Sequence, residues 1–304
     1  MAEPVIPPAE EAPGLVPGRR SPVWRYSGDI RLLAGSGYAL LLQVSHPTVG
    51  AGVSEFSDFR ADPWGRLLRT LDFAYSMTYA PPEVAADVGQ RVRKMHRGIK
   101  GRKPGGEPYH ALEPEAYAWV HATLGDGVVR GHRILGRPMA PHEIDEYWHD
   151  WRRVGRLVGV RSRDLPETWP EFERYFDRMV EERLERTDAV DDVLSSLDSP
   201  AKPPLRFLGD TGWKVASFPA IKSMELTTAG LLPPILRERF GITWTDKEER
   251  RFRALAKASR ATTPVLPGAL LNVGPRYLSW RREAIERGEV AQESRAPGTV
   301  AAAT

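Results

Sequence analysis

Prolines at the starts of apolar runs are the feature that most constrains how this chain can fold. Pro63, Pro82, Pro114, Pro141 and Pro170 each stand at the start of a run whose apolar residues recur at three- and four-residue spacing. Proline is favoured in the first turn of an α-helix, where its missing N–H breaks no helical hydrogen bond. The pattern therefore predicts successive helices that begin near these prolines. Alternating apolar and polar residues, which are typical of strands, are nearly absent, and we predict an all-α fold.

The 304 residues are predicted to form one large helical domain between two loose ends. Residues 1–20 contain five prolines and almost no apolar periodicity, which predicts a disordered leader. Residues 288–304 are small, polar and rich in alanine, which predicts a flexible tail. Residues 21–287 contain no linker and no internal repeat, so they are predicted to be a single domain. Its last long amphipathic helix is expected to begin at Asp246.

Composition removes several classes of cofactor and partner. The chain has no cysteine, which excludes disulfides, iron–sulfur clusters, thiolate-ligated haem and cysteine-type zinc sites. Histidine, tyrosine, methionine and carboxylates remain as ligands for iron. The 43 basic residues are interleaved with 40 acidic residues and give a net charge of only +3, so no nucleic-acid surface is predicted.

The most apolar stretch, residues 34–53, is too polar for a convincing membrane span because it contains Gln43, His46 and Pro47. We interpret it as a buried helix that ends near His46 and Pro47 and is followed by a glycine-containing loop. The N-terminus shows no secretory signal pattern. These observations predict a cytoplasmic protein with no stable membrane insertion.

His96 is the most informative candidate for chemistry. It lies four residues after Val92 on the apolar stripe of a helix predicted to run from Pro82 to about Gly101. Arg93 and Lys100 are spaced to share its face. A histidine between two cations is a poor site for a divalent metal, but it suits iron carried by a ligand with anionic arms, such as haem. The alternative is an ordinary buried histidine that is hydrogen-bonded in the core.

The preceding helix predicts a second set of functional residues. Arg66, Arg69 and Thr70 share one side of that helix with the large apolar residues Phe73 and Met77. A solvated helix face rarely combines these types, so we expect the three polar side chains to look into a pocket. The alternative is that the arginines extend to the surface over an apolar patch.

Together these motifs resemble the rubber-oxygenase catalytic domain. That family includes the bacterial latex-clearing proteins and the fungal oxygenase of the mycophenolic-acid pathway. The resemblance covers residues 22–280. Its main motifs are Arg66-x-x-Arg69-Thr70, Arg93-x-x-His96-x-x-x-Lys100, His46-Pro47-Thr48-Val49, Asp62-Pro63 and Gly230-Leu231-Leu232-Pro233.

The resemblance implies a globin-like helical core that holds haem b, with His96 as the ligand of the iron. It places Arg93 and Lys100 beside the cofactor and gives His46 a place in its pocket. It places the catalytic residues Arg66, Arg69 and Thr70, named above, on the distal side near bound dioxygen.

Arg69 departs from the latex-clearing pattern, in which a lysine at this place can cap the iron. A guanidinium has no free lone pair, so Arg69 cannot replace that amine as a ligand. We therefore expect an open or water-ligated sixth position, with His46 and His121 as the other candidate ligands.

The resemblance favours a haem b-dependent oxygenase that uses dioxygen to oxidise a small apolar substrate, such as an isoprenoid cleaved at a C=C bond. No flavin or nicotinamide motif is present, so any electrons are expected from an external donor. Two alternatives stay open: a peroxidase-like haem enzyme and a non-catalytic haem-binding or gas-sensing protein. A di-iron site at Glu146-x-x-His149 is disfavoured because a helical second motif is lacking.

Overall fold

The structure is a computed structural model that describes residues 9–57, 63–198 and 210–288. Fourteen α-helices lie in these ranges: α1 (Pro22–Tyr26), α2 (Ser36–Val44), α3 (Pro47–Phe56), α4 (Pro63–Tyr79), α5 (Pro82–Arg97), α6 (Pro114–Ile134), α7 (Pro141–Leu157), α8 (Trp169–Arg178), α9 (Asp188–Asp198), α10 (Asp210–Leu231), α11 (Pro234–Arg239), α12 (Asp246–Ala261), α13 (Gly268–Leu271) and α14 (Gly274–Glu286). Shorter helical elements are the 3-10 helices Ala9–Gly14, Ile30–Gly35 and Ser162–Asp164 and a π-helical turn at Met179–Arg183.

The predicted helix starts are confirmed. Helices α4, α5, α6 and α7 each begin on the proline that predicts them, and α12 begins at Asp246. Helix α8 begins one residue before Pro170 because Thr168 caps it. The Thr168 hydroxyl accepts from the N–H of Glu171, whose carboxylate accepts from the N–H of Thr168 in return.

The all-α class and the single domain are confirmed. The described residues contain one small sheet, in which β1 (Lys100–Arg102) pairs antiparallel with β2 (Pro108–His110). The globin-like character implied by the resemblance stays a prediction. Within the described ranges, no helix has both the length and the apolar character needed to cross a bilayer.

The core forms where α2, α6, α7 and α8 pack together. Trp119 on α6 is fully buried and donates from its indole N–H to the Leu42 carbonyl on α2 at 2.7 Å. Asp126, also on α6, is buried between the Tyr38 hydroxyl at 2.5 Å and the Arg130 guanidinium at 2.7 Å. Every member of this buried polar network has a partner, which burial of charge requires.

The predicted disordered leader is wrong for its described part, residues 9–20. Residues Ala9–Gly14 form a 3-10 helix, and the side chains of Ala12 and Leu15 are buried in the core. Burial of apolar area at these two residues outweighs the low helical tendency of a proline-rich segment. Residues 1–8 lie outside the described residues, as does the predicted tail beyond Gly288.

The predicted loop after His46 is also wrong. Helix α2 ends at Val44 and a second helix, α3, starts at Pro47 and continues to Phe56. His46 lies between them as the N-cap of α3, where its Nδ1 accepts from the N–H of Thr48 at 3.3 Å. The proline after His46 therefore starts a helix instead of only ending one.

Candidate functional site

His96 lies in the last turn of α5, with its ring held by the helix itself. Its Nδ1 is 2.7 Å from the Val92 carbonyl oxygen, so Nδ1–H donates and the proton is fixed on that nitrogen. Nε2 then keeps its lone pair, and no described residue forms a hydrogen bond with it. A neutral imidazole whose second nitrogen donates to a carbonyl is the usual state of a metal-ligating histidine.

The surroundings keep His96 neutral. Burial lowers its pKa below the usual value, and the hydrogen bond to Val92 opposes this shift only in part. The ring of Tyr117 on α6 meets the His96 ring edge-on, with centroids 5.6 Å apart. The Tyr117 hydroxyl donates to the Val158 carbonyl at 2.9 Å, which connects the His96 environment to the end of α7.

Arg93 is buried one turn before His96, with only 2 % of its surface exposed. Its guanidinium lies against Gly159, which has a φ of +84° and where a Cβ atom would be 2.9 Å from Nη1. Close to this contact, Gly89 of α5 approaches the Leu157 carbonyl so closely that a Cβ atom at residue 89 would collide with it. Two glycines therefore allow α5 to pack tightly on the end of α7.

A small cavity lies next to this region. It leaves about 10 Å³ for the centre of a water molecule, which is room for about one water. Val158 belongs to its wall and also accepts the Tyr117 hydrogen bond, whereas His96 does not line it. The lining residues are Phe73, Met77, His121, Leu124, Trp151, Val154 and Val158.

Helix α4 reaches the cavity with its apolar residues only. Phe73 and Met77 line the cavity, but the structure does not bring Arg66, Arg69 or Thr70 to it. Thr70 is exposed and donates to the Arg66 carbonyl at 3.0 Å. The Arg66 guanidinium donates to the Ser57 hydroxyl at the end of α3, and both arginines are partly exposed.

Lys100 does not share the helical face of His96, contrary to the spacing argument. Helix α5 ends at Arg97, and Lys100 is an exposed residue of β1 opposite His110. Gly98 already ends the helix, three residues before the predicted stop at Gly101. Of the two cations expected beside His96, the structure places only Arg93 on the same helix.

His46 has both ring nitrogens engaged in contacts that organise the fold. Besides capping α3 through Nδ1, its Nε2 lies 3.3 Å from a carboxylate oxygen of Glu115, which also binds Arg183 at 2.6 Å. Burial lowers the pKa of His46, and the Glu115 carboxylate opposes this shift. This arrangement leaves neither nitrogen free for iron without a rearrangement.

His121 is the histidine that lines the cavity. Its Nε2–H donates to the Trp151 carbonyl at 2.8 Å, and its ring stacks on the Trp151 indole with centroids 4.7 Å apart and planes 4° apart. Complete burial lowers the pKa of His121 to about 4, so the ring is neutral at physiological pH. It adds a polar but uncharged surface to an otherwise apolar wall.

The di-iron alternative finds no support in the described residues. His142, Glu146 and His149 all lie on exposed positions of α7. Within the described ranges, no three histidine, aspartate or glutamate side chains gather closely enough to hold a metal ion.

Tyr117 and Gly159 are the site residues that sequence reasoning missed. Tyr117 lies on the helix that Pro114 predicts, two residues before Trp119, and nothing local distinguishes it from other core aromatics. Gly159, between two valines after a predicted helix, carries the one available signal, since glycine is favoured where φ is positive.

Residues 24–261, more than three quarters of the chain, match the sequence profile of one protein family. That family is described as "ER-bound oxygenase mpaB/B'/Rubber oxygenase, catalytic domain". The chain belongs to this family. Membership agrees with the motifs around Arg66 and His96 and is consistent with oxygenase activity. This member of the rubber-oxygenase family also has uncharacterized relatives.

Two relatives are uncharacterized proteins of Mycobacterium bovis and Mycobacterium tuberculosis. Each is 23% identical to this chain over 235 residues, which cover 75% of this chain and 87% of the relative. No solved structure matches the chain significantly.

Proposed function

We propose that this protein is a haem b-dependent oxygenase in which Nε2 of His96 ligates the iron. The observation that carries the proposal is the state of the His96 ring: Nδ1–H donates to Val92, burial keeps the ring neutral, and no described residue bonds Nε2. The chain has no cysteine to act as an alternative axial ligand, and it belongs to an oxygenase family.

The donor atom fits an iron ligand, but the packed cavity does not fit the macrocycle. Pockets that bind small molecules and cofactors usually enclose about 300–1,000 Å³, whereas the cavity beside Val158 has room for about one water molecule. This cavity, as it is packed here, therefore has no room for haem. We accordingly expect the haem-free and haem-bound proteins to differ in the packing around α4, whose Phe73 and Met77 close the cavity.

In this proposal Arg93 and Lys100 bind the propionate groups of haem. Arg93 carries a buried charge on the same helix as His96, and a buried guanidinium is suited to bind a carboxylate with two parallel hydrogen bonds. Lys100, on the strand just after α5, is proposed to contribute from the surface, where its contact with a carboxylate is weaker. His46, which caps α3, would support this region without ligating iron.

Bound haem would supply an iron centre able to activate dioxygen for oxidation of a small apolar molecule. In this proposal Arg66 and Arg69 provide positive charge on α4, and the Thr70 hydroxyl, now bonded within its helix, holds or passes a proton. The apolar walls from α4, α6 and α7 exclude water. Cleavage of a C=C bond in an isoprenoid and an external electron donor are parts of the proposal that rest on the resemblance.

Haem loading tests the assignment of His96. The protein is expressed with a haem precursor, and bound haem is counted as the pyridine complex. Replacing His96 with alanine should abolish stoichiometric loading, while replacing the exposed His149 with alanine should leave it unchanged. Added imidazole should restore binding to a folded His96→Gly variant. Full loading of His96→Ala would overturn the assignment.

A further inference from the structure

An exposed apolar turn joins α12 to α14. It comprises residues 262–273, includes the short helix α13, and will be called the 262–273 turn. Val265 at its tip is 76 % exposed, and Leu270 is 37 % exposed. Both values are high for branched aliphatic side chains, which are usually buried.

The base of the turn is fixed to the body of the protein. The Arg31 guanidinium donates to the Ser259 carbonyl at 3.1 Å and to the Thr263 hydroxyl at 2.9 Å. The Val273 N–H donates to the Gly28 carbonyl at 2.8 Å. The tip is thus presented on a rigid base.

The backbone of the tip satisfies its own hydrogen bonds. The N–H groups of Val265 and Leu266 donate to the Thr262 carbonyl at 3.0 and 2.9 Å, and that of Leu270 donates to the Pro267 carbonyl at 2.8 Å. Pro264 and Pro267 have no N–H to satisfy. Because most of its backbone N–H groups are paired or absent, this turn can move from water into lipid without many unpaired hydrogen-bond donors. Paired backbone groups are the condition for contact with lipid.

Basic residues flank the turn on both sides. Residues 250–282 contain eight lysines and arginines and no aspartate or glutamate. Seven of the eight are exposed; the eighth, Arg281, is buried against Asp72. Within the described part of the chain, Lys257, Arg260 and Arg276 form no ion pair.

We propose that the 262–273 turn docks the protein on an anionic bilayer surface. Val265 and Leu270 enter the boundary between headgroups and acyl chains, while Lys257 and Arg276, from the two adjoining helices, contact acidic headgroups. The apolar tip and the positive charges of Lys257 and Arg276, which form no ion pair within the described part of the chain, match the two layers of such a surface. An apolar substrate dissolved in a bilayer would then be close to the enzyme.

The chemistry of the tip favours a bilayer over nucleic acid. Single-stranded nucleic acid is bound by aromatic side chains on which bases stack, and duplex DNA by polar groups that reach base edges. Residues 264–271 of the turn are valine, leucine, proline, alanine and glycine, with no aromatic ring, and such side chains suit acyl chains. The proposal does not depend on haem, because binding to lipid is measured without any turnover.

Vesicle sedimentation tests the proposal with the full-length protein. Binding is compared between vesicles of pure phosphatidylcholine and vesicles that contain about one third phosphatidylglycerol, whose surface is negatively charged. The wild type should bind the anionic vesicles more tightly, and added salt should weaken that binding because it screens the charges.

Two variants separate the apolar from the electrostatic contribution. Val265→Asp should weaken binding to anionic vesicles about tenfold, since transfer of one valine side chain from water into the bilayer strengthens binding by roughly a factor of ten. The matched control Val84→Asp changes an exposed valine in the first turn of α5 and should bind as the wild type does. Lys257→Gln with Arg276→Gln should weaken binding about 25-fold. All of these positions are exposed, and unchanged circular dichroism would confirm that each variant folds.

Four results would overturn the proposal. One is equal binding of Val265→Asp and Val84→Asp to anionic vesicles, and another is equal wild-type binding to neutral and anionic vesicles. The third is a wild type that is dimeric in solution and becomes monomeric on Val265→Asp, which would assign the surface to contact between copies. Competition by a DNA duplex that Val265→Asp still binds would likewise contradict the lipid assignment.

Discussion

The folded protein should lose stability as the pH falls from about 6.5 to about 4, because the His121 ring is neutral in the folded protein. Burial lowers the pKa of His121 to about 4, and the bond from Nε2–H to the Trp151 carbonyl opposes this shift only in part. In the unfolded chain the pKa of histidine is about 6.5. Between these values the unfolded chain binds a proton that the folded protein does not, so the free energy of unfolding decreases as protons are added.

The magnitude follows from the difference between the two pKa values. A shift of the pKa from about 6.5 to about 4 corresponds to about 3 kcal/mol in the free energy of unfolding. This contribution is fully present above pH ~6.5 and is lost progressively as the pH falls toward the pKa of the folded protein. His121→Gln retains an amide donor for the Trp151 carbonyl and removes the titrating group. Between about pH 7 and about pH 4, the variant should therefore lose about 3 kcal/mol less stability than the wild type.

Urea unfolding followed by tryptophan fluorescence, repeated across this pH range, measures the difference. His149→Gln is the matched control, because His149 is exposed on the same helix that carries Trp151. The control should follow the wild-type pH dependence. If His121→Gln and the wild type lost stability in parallel, the neutral, buried state of His121 would be refuted.

Two packing predictions follow from the same structure. Gly89→Ala should destabilise the fold by about 1–3 kcal/mol, since its Cβ would meet the Leu157 backbone, whereas Gly98→Ala, just after the same helix, should be nearly neutral; thermal midpoints compare them. Asp126→Ala should cost about 3 kcal/mol, because it leaves the buried Tyr38 hydroxyl and the partly exposed Arg130 guanidinium without their carboxylate. Asp145→Ala, an exposed position on α7, serves as its control in urea unfolding, and equal midpoints for the two would contradict the buried network.

Helix starts were predictable from sequence, whereas one helix end was not. A proline in the first turn acts locally, so Pro63, Pro82 and Pro114 determine where their helices begin. The end of α5 was placed too late because Ile99 continues the apolar stripe. In the structure Ile99 lies after the helix, and its side chain faces Gly52 of α3. Its apolar character reflects that tertiary contact and not a helical position.

The candidate site shows the same division. His96 could be selected from sequence because its apolar stripe and the neighbouring Arg93 are local features. The cavity could not, since Met77, His121 and Trp151 come from three helices whose packing depends on the whole core. The proline-rich leader was misjudged for the same reason, because burial of Leu15 depends on helices far along the chain.

The absorption spectrum of the protein, purified after expression with a haem precursor, tests the central claim most directly. We predict a Soret band that shifts on reduction with dithionite and shifts again with carbon monoxide, as expected for iron held by His96 with an accessible sixth position. A folded protein that is colourless and takes up no added haem would contradict the claim.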